Sequence, residues 1–177
     1  MWELQGCKQN YLIGELINRG GFGSVFAGFQ PAFGLHVAVK LVDKRRIAAW
    51  EELDGRKVPR EIKLLLQVQS VDKVVKLFDF CELRDSYAIV MERPLLSREL
   101  FEVLVEQDFL GEKVARDYFE QIVDAAVQCH RCGVFHGDLK LENILVDVVT
   151  NRIKLIDFGS GLFLENDLCT TYTGSLN

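Results

Sequence analysis

Four polar side chains in the last third of the chain have the types and spacing needed for phosphoryl transfer. Asp138, Lys140 and Asn143 stand at relative offsets of zero, two and five, and an apolar strand-like run follows them. A second strand-like run, residues 153–156, is followed directly by Asp157. One carboxylate can accept a hydroxyl proton, the ammonium can neutralise a phosphate, and the amide and second carboxylate can hold magnesium. The set predicts transfer of a phosphoryl group from a magnesium-bound nucleotide to a hydroxyl.

The composition is that of a globular protein. The 177 residues are 49% hydrophobic and 27% charged, and the net charge of −5 argues against general binding of nucleic acid. The N-terminus lacks a secretory signal pattern and no apolar run reaches membrane-spanning length, so we expect no membrane partner. The five cysteines are therefore expected to be free thiols in a reducing compartment. The expected location is the cytoplasm, with the nucleus as a second compartment.

A glycine-rich hairpin is predicted near the start of the chain. Residues 11–17 and 24–29 have strand character, and the connecting turn, residues 18–23, carries three glycines. Such a turn lets the backbone come close to a ligand. On these residues alone, an ordinary glycine-rich turn is the favoured interpretation.

A lysine in the middle of an apolar strand needs a partner. Lys40 lies in the strand predicted over residues 36–42, and Glu61 lies in the helix that begins after Pro59. The alternative is a lysine that snorkels from an edge strand. The segment between that strand and the helix, residues 44–55, is expected to be a mobile polar connection.

Two strands, residues 74–80 and 86–92, precede a predicted short helix over residues 97–105. Glu99, Glu102 and Glu106 share one face of this helix, and a solvated acidic face is the favoured interpretation from spacing alone.

A long amphipathic helix is predicted between Gly111 and Gly133. Its apolar stripe falls within residues 115–126. Near its end, Cys129 and Cys132 form a lone C-x-x-C, which we interpret as two small residues near a buried face. A zinc site would need a second ligand pair.

Taken in order, these features resemble the eukaryotic protein kinases, and most of all the Pim family of serine/threonine kinases. The resemblance covers residues 11–175. The most telling local matches are Glu92-Arg93-Pro94, the stretch 20–25, Val58-Pro59, the stretch 129–134 and the stretch 155–161.

The resemblance implies ATP and Mg²⁺ as cofactors and assigns roles to particular residues. Asp138 is expected to be the catalytic base, Lys140 to contact the γ-phosphate, and Asn143 with Asp157 to bind magnesium. Nucleotide binding is assigned to Ile17, Asn18, Arg19, Gly20, Gly21, Phe22, Gly23, Ser24, Val25, Ala38, Lys40, Glu61, Met91, Glu92, Glu99 and Leu145. Basic residues of a protein substrate are expected to bind Glu99, Glu102 and Glu142.

The chain departs from the family pattern at three places. Asn18 replaces the first glycine of the glycine-rich motif, and its tolerance of positive φ should let the hairpin close. Gly137 replaces the usual arginine before Asp138, which argues against regulation by loop phosphorylation and is expected to loosen the backbone there. The resemblance stops at residue 175, before several helices that the family has, so apolar surface along residues 115–126 is expected to be exposed.

The implied fold is α+β and protein-kinase-like, with an N-lobe (residues 1–92) and a partial C-lobe (residues 93–177). The N-lobe is expected to hold a five-stranded antiparallel sheet and one main helix, and the incomplete C-lobe to be mainly helical. The expected activity is that of a monomeric ATP-dependent serine/threonine protein kinase acting on hydroxyls in basic sequence contexts. The alternatives are a catalytically impaired nucleotide-binding module and a truncated kinase fragment.

Overall fold

The computed structural model describes residues 1–21 and 23–164. The chain divides into two compact units, one of residues 1–63 with 76–95 and the other of residues 64–75 with 96–177. The dividing point at residue 63 falls inside a helix, and residues 64–75 group with the second unit. The lobe boundary expected after residue 92 stays a prediction.

The first unit is built on a six-stranded antiparallel sheet, together with a two-stranded hairpin and a helix. In chain order the elements are β1 Trp2–Leu4, β2 Tyr11–Gly20, β3 Gly23–Gln30, β4 Leu35–Asp43, β5 Trp50–Leu53, β6 Arg56–Pro59, α1 Arg60–Gln67, β7 Leu77–Glu82 and β8 Ser86–Glu92. The strand order in the sheet is β1-β2-β3-β4-β8-β7, and β5 and β6 form the hairpin. Five sheet strands were predicted; the sixth, β1, is too short to give a sequence signal.

The connection after β4 is ordered, so its prediction as a mobile polar segment was wrong. A 3-10 helix, Lys44–Arg46, begins it, and β5 and β6 then pair in antiparallel register. Asp54 and Gly55 both have positive φ at the turn between them. An Asp-Gly pair between two strands is a standard hairpin signal, and the high charge of the segment obscured it.

Alternation along β4 separates two faces of the sheet. Val37 and Val39 are completely buried in an apolar cluster on one face, whereas Lys40 belongs to the opposite set of the alternation. The cluster contains Leu4, Tyr11, Ile13, Val37, Val39, Cys81, Ala88 and Val90.

The described part of the second unit contains two short sheets and, besides the end of α1, two helices. Its elements are β9 Ser97–Glu99, α2 Leu100–Gln107, α3 Glu112–Arg131, β10 Val134–Phe135, β11 Ile144–Asp147, β12 Ile153–Leu155 and β13 Leu162–Phe163. Strand β11 pairs with both β12 and β9, and β10 pairs with β13. Residues 97–99, predicted as the first turn of a helix, are extended because they add an edge strand to β11.

The long helix α3 has the predicted limits, with Gly111 as its N-cap and Gly133 in a left-handed conformation just after it. Tyr118, Ala125 and Cys129 are buried along it. Phe119, predicted to belong to the apolar stripe, is 66% exposed, which confirms the expected apolar exposure on this helix. No helix among the described residues is both long enough and apolar enough to cross a bilayer.

Candidate active site

Three of the four chemically competent residues converge in the loop between β10 and β11. The Asn143 side chain donates from Nδ2 to the Asp138 carbonyl, at 2.8 Å, and to Asp138 Oδ2, at 3.0 Å. Lys140 Nζ lies 3.1 Å from the same carboxylate oxygen. Asp138 and Asn143 are buried, whereas the Lys140 side chain is partly exposed. The predicted offsets therefore do bring an amide and an ammonium onto one carboxylate.

Local backbone bonds explain why the loop adopts this shape. A 3-10 helix, Leu141–Asn143, turns the chain so that the Asn143 N–H reaches the Lys140 carbonyl at 3.0 Å. The Asn143 carbonyl in turn accepts from the N–H of Ile156 at 3.0 Å. The bond to Ile156 ties the loop to the residue directly before Asp157.

His136, for which no role was predicted, is a structural residue of this loop. It is 3% exposed, and its ring centroid lies 4.5 Å from that of Phe158. The Asp138 N–H donates to Nδ1, which leaves Nε2 to donate to the Ile156 carbonyl at 2.9 Å. Burial lowers the pKa of His136, against an opposing contribution from the Ile156 carbonyl, so the neutral ring is favoured. Its position directly before Gly137 was the available sequence signal.

Asp157 is held in an uncommon backbone conformation. Its φ is +62°, and its Oδ1 accepts a hydrogen bond from the Gly159 N–H at 3.2 Å. A left-handed non-glycine residue costs of order 1–3 kcal/mol and is typical of functional sites. The completely buried Phe158 beside it anchors the segment.

The donor set of Asn143 and Asp157 fits magnesium. Both hydrogen bonds that the structure gives to the Asn143 side chain use its Nδ2 group, so its oxygen is the atom suited to a hard cation. Magnesium is commonly bound by one or two protein oxygens together with substrate phosphates. No group of three or more His, Cys, Asp or Glu side chains in residues 1–21 and 23–164 is arranged to hold a metal by itself.

Gly137 makes a close backbone contact that the sequence did not reveal. Its φ is +81°, and a Cβ built on it would lie 2.2 Å from the Ser160 carbonyl oxygen. The residue was expected to loosen the backbone. Instead, the absence of a side chain allows the loop between β10 and β11 to pack directly against the segment that follows Asp157.

In the first unit, Lys40 has the partner that the sequence predicted. Its Nζ lies 2.7 and 2.9 Å from the two carboxylate oxygens of Glu61. The exposed fractions of the two side chains are 5% and 8%, so the alternative of a snorkelling edge lysine is wrong. A buried ion pair of this kind sets the position of the lysine amine.

The glycine-rich hairpin closes through regular pairing. Gly20 pairs with Gly23 at its end, and Asn18 pairs with Val25. Asn18 is not among the positive-φ residues, so closure does not use the tolerance that was expected of it. A Cβ on Gly23 would lie 2.3 Å from the Leu41 carbonyl oxygen. Phe22, assigned to nucleotide binding, lies outside the described residues.

Met91 and Glu92, both assigned to nucleotide binding, end strand β8. Met91 is 9% exposed, and Glu92 exchanges two hydrogen bonds with Lys76: its N–H donates to the Lys76 carbonyl, and its Oε2 accepts from the Lys76 N–H. Ala38 pairs with Met91 across the sheet. Leu145, assigned to the same pocket, belongs to β11 of the second unit.

The predicted substrate carboxylates lie in the second unit. The pKa of Glu99 is raised, first by burial and then by the charges of Glu102 and Glu142. The charges of Glu102 and Glu142 are therefore within electrostatic reach of the Glu99 carboxylate. Arg98 forms ion pairs with Glu102, at 3.8 Å, and with Glu106. The chain therefore neutralises part of its own acidic face.

Comparison with known proteins agrees with this geometry. Residues 11–177 match the protein kinase domain. The chain belongs to the protein kinase domain family. It is 36% identical over 178 residues to the serine/threonine-protein kinase pim-2 of Danio rerio, covering 95% of this chain and 57% of that protein.

Two further relatives show the same pattern. The chain is 34% identical to the serine/threonine-protein kinase prk-2 of Caenorhabditis elegans, with 95% of this chain and 38% of that protein covered. It is also 34% identical to the carbon catabolite-derepressing protein kinase of Saccharomyces cerevisiae, with 95% and 26% covered. This kinase domain thus spans less than two thirds of the curated relatives named here.

The family match confirms the protein-kinase-like α+β fold and the similarity to Pim kinases. Within this kinase domain, the paired Lys40 and Glu61 lie in the first unit, and the cluster around Asp138 lies in the second. The catalytic, nucleotide-binding, metal-binding and substrate-binding roles of individual residues stay predictions.

Proposed function

We propose that this kinase domain transfers the γ-phosphoryl group of Mg-ATP to serine or threonine hydroxyls of proteins. The observation that carries the proposal is the convergence of Lys140 and Asn143 on the buried carboxylate of Asp138. The buried pair of Lys40 and Glu61 supports it from the first unit. Phosphoryl transfer requires positioning and charge neutralisation more than covalent chemistry, and these residues supply both.

Each protein group has a distinct task. The carboxylate of Asp138 accepts the proton of the attacking hydroxyl. Asn143 orients that carboxylate through one hydrogen bond to Oδ2 and holds the Asp138 backbone through a second one to its carbonyl. Lys140 balances negative charge beside it, and Lys40 holds phosphate oxygens with Glu61 as its counter-ion. When bound, magnesium neutralises charge on the nucleotide phosphates, with Asn143 and Asp157 as its protein ligands.

A preference for basic sequence contexts follows from the acidic residues of the second unit. Burial raises the pKa of Glu99, and the charges of Glu102 and Glu142 raise it further. A guanidinium that approaches Glu99 would relieve this repulsion. We further propose that the domain acts as a monomer in the cytoplasm and the nucleus.

Phosphate incorporation into matched peptides tests the proposal. The substrates are a serine peptide with arginines before the serine, the same peptide with those arginines replaced by alanine, and a version with tyrosine as acceptor. We expect transfer to the first peptide, weaker transfer to the second and none to the third. Asp138→Asn should lower the rate by at least about 100-fold, the typical contribution of a general base.

The matched control is Asp117→Asn, an exposed carboxylate on α3. It should leave the rate unchanged. Transfer by the parent chain no faster than by Asp138→Asn would overturn the enzymatic proposal. A rise in the melting temperature with Mg-ATP, without transfer, would then identify a nucleotide-binding module instead.

A further inference from the structure

A disulfide joins the N-terminal segment to the far edge of the first sheet. Cys7 and Cys81 are bonded across 74 residues of sequence, with their Cα atoms 4.7 Å apart. Cys7 lies in the connection between β1 and β2, and Cys81 lies on β7. Because β1 and β7 are the two edge strands, the bond connects the two ends of the strand order. The expectation of five free thiols was wrong for this pair, since a sequence separation of 74 puts the contact beyond any spacing rule.

The disulfide acts together with a buried carboxylate on the same strand. Asp79, two residues before Cys81, is 5% exposed and accepts from the Gln9 N–H at 3.2 Å and from the Tyr11 hydroxyl at 3.4 Å. Burial and the adjacent charge of Asp79 raise the pKa of Tyr11 to about 12, which keeps the phenol protonated as a donor. Residues 79 and 81 share one face of β7, so both hold the segment 7–11 from the same side.

The closure covers the apolar cluster of this sheet face. Leu4 and Tyr11 from the N-terminal segment are buried together with Val37 and Val39 of β4, and Cys7 packs against the same cluster. A sheet whose two edges are joined over an apolar interior resembles a small barrel. Without the closure, the interior would face water.

The two bonded cysteines differ in exposure. Cys7 is partly exposed, whereas Cys81 is 4% exposed. Thiol–disulfide exchange requires a thiolate to reach one sulfur of the bond, so attack is directed to Cys7 Sγ.

We propose that Cys7 and Cys81 form a reversible thiol–disulfide switch that opens and closes this sheet, with Cys7 as the site of modification by a low-molecular-weight thiol. The incoming thiolate bonds to Cys7 Sγ, the bond to Cys81 breaks, and Cys81 leaves as a thiolate that takes a proton from water. A second thiol then attacks the mixed disulfide, releasing the Cys7 thiol and the oxidised, disulfide form of the small thiol. In total, the protein disulfide gains two electrons and two protons from two thiols. The open form prevails in a reducing compartment, and oxidation closes the sheet.

Peptide mapping and amide hydrogen exchange in glutathione buffers test the switch. In oxidised glutathione we expect a Cys7–Cys81 linked peptide, and in excess reduced glutathione two free thiols at these positions. Exchange of the amides in residues 2–11 should become at least about tenfold faster on reduction, because the covalent closure is lost. Neither readout depends on nucleotide binding or phosphoryl transfer, so the test of the switch is independent of the proposed function.

Three variants sharpen the result. Cys7→Ser, at the partly exposed position, should show the faster exchange in both buffers. Cys132→Ser removes a thiol that is free in the structure and should behave like the parent chain. Cys81→Ser should accumulate one glutathione on Cys7, because no resolving thiol remains. If a variant does not fold, the linked peptide and the amide exchange of the parent chain in the two buffers still test the proposal. The absence of the linked peptide in oxidised glutathione, or equal exchange in both buffers, would overturn the proposal.

Discussion

Replacement of Gly137 by alanine should destabilise the second unit more than an equivalent change at another left-handed glycine. A Cβ at this position would lie 2.2 Å from the Ser160 carbonyl oxygen, and φ is +81°. Gly133 offers a matched comparison because its φ is +75° and nothing lies within 4 Å of its Cβ position. The two variants share the conformational penalty, and only the first has the steric one.

The expected magnitudes follow from these two contributions. A left-handed conformation costs a non-glycine residue about 1–2 kcal/mol. Moving the Ser160 carbonyl away costs a further ~2 kcal/mol, the usual range for overpacking. The Ser160 carbonyl has little room to move, because the next residue is held in place. The Gly161 N–H donates to the Phe158 carbonyl at 2.9 Å, and a Cβ built on Gly161 would lie 2.7 Å from Leu64. Gly137→Ala should therefore lose about 3–4 kcal/mol, and Gly133→Ala, which has only the conformational penalty, about 1–2 kcal/mol.

Thermal and denaturant unfolding measure this difference. For a chain of this size, each kcal/mol lowers the melting temperature by roughly 2–4 °C, so Gly137→Ala should melt roughly 6–16 °C below the parent. Gly137→Arg, which introduces the residue of the resembled pattern, should be at least as damaging because its Cβ meets the same oxygen. Equal losses at Gly137 and Gly133, or an arginine variant more stable than the parent chain, would refute the steric reasoning.

Three further outcomes are expected. Lys40→Met should lower the free energy of unfolding in urea by about 3–5 kcal/mol, because it leaves the buried Glu61 without the Lys40 cation. Adding Glu61→Gln should recover much of this loss. A double variant as unstable as Lys40→Met alone would contradict the reasoning. Burial lowers the pKa of His136 below its usual 6.5, so the unfolded state binds the proton more readily and stability falls as pH drops below about 6.5. His136→Gln should flatten that slope while the matched change at exposed His36 does not, and an unchanged slope would exclude His136 as its origin. Glu99→Gln should raise the KM for an arginine-rich peptide severalfold with little change for its alanine counterpart, and equal effects on both would argue against a charge contact.

Much of the site could be read from the chain because its residues are close in sequence. Asp138, Lys140 and Asn143 occupy one short loop, so a single turn with its own backbone bonds brings them together. The pairing of Lys40 with Glu61 was predictable for a different reason: a buried charge must find a counter-charge, and few candidates existed. The strands β3 and β4 followed from apolar alternation, whereas β8 followed from a continuous apolar run, which is buried on both faces of the sheet.

Other features could not be predicted because local sequence patterns carry too little information about them. The hairpin of β5 and β6 lay in a charged segment whose polarity masked its Asp-Gly turn. Residues 97–99 have helical spacing, yet they form a strand because β11 offers them a free edge to pair with. In both cases a partner distant in sequence, or a stronger compositional signal, outweighed the local propensity.

The sequence by itself determined the chemistry of this protein: the carboxylates, the amide and the lysines, their order, and the family to which the order points. Those properties reside in residue types and short spacings, which need no tertiary information. The tertiary structure alone decided that Cys7 meets Cys81 across the sheet and that the Ser160 carbonyl occupies the space beside Gly137. Both are contacts between segments far apart in the chain, and only packing of the whole unit brings such segments to bonding distance.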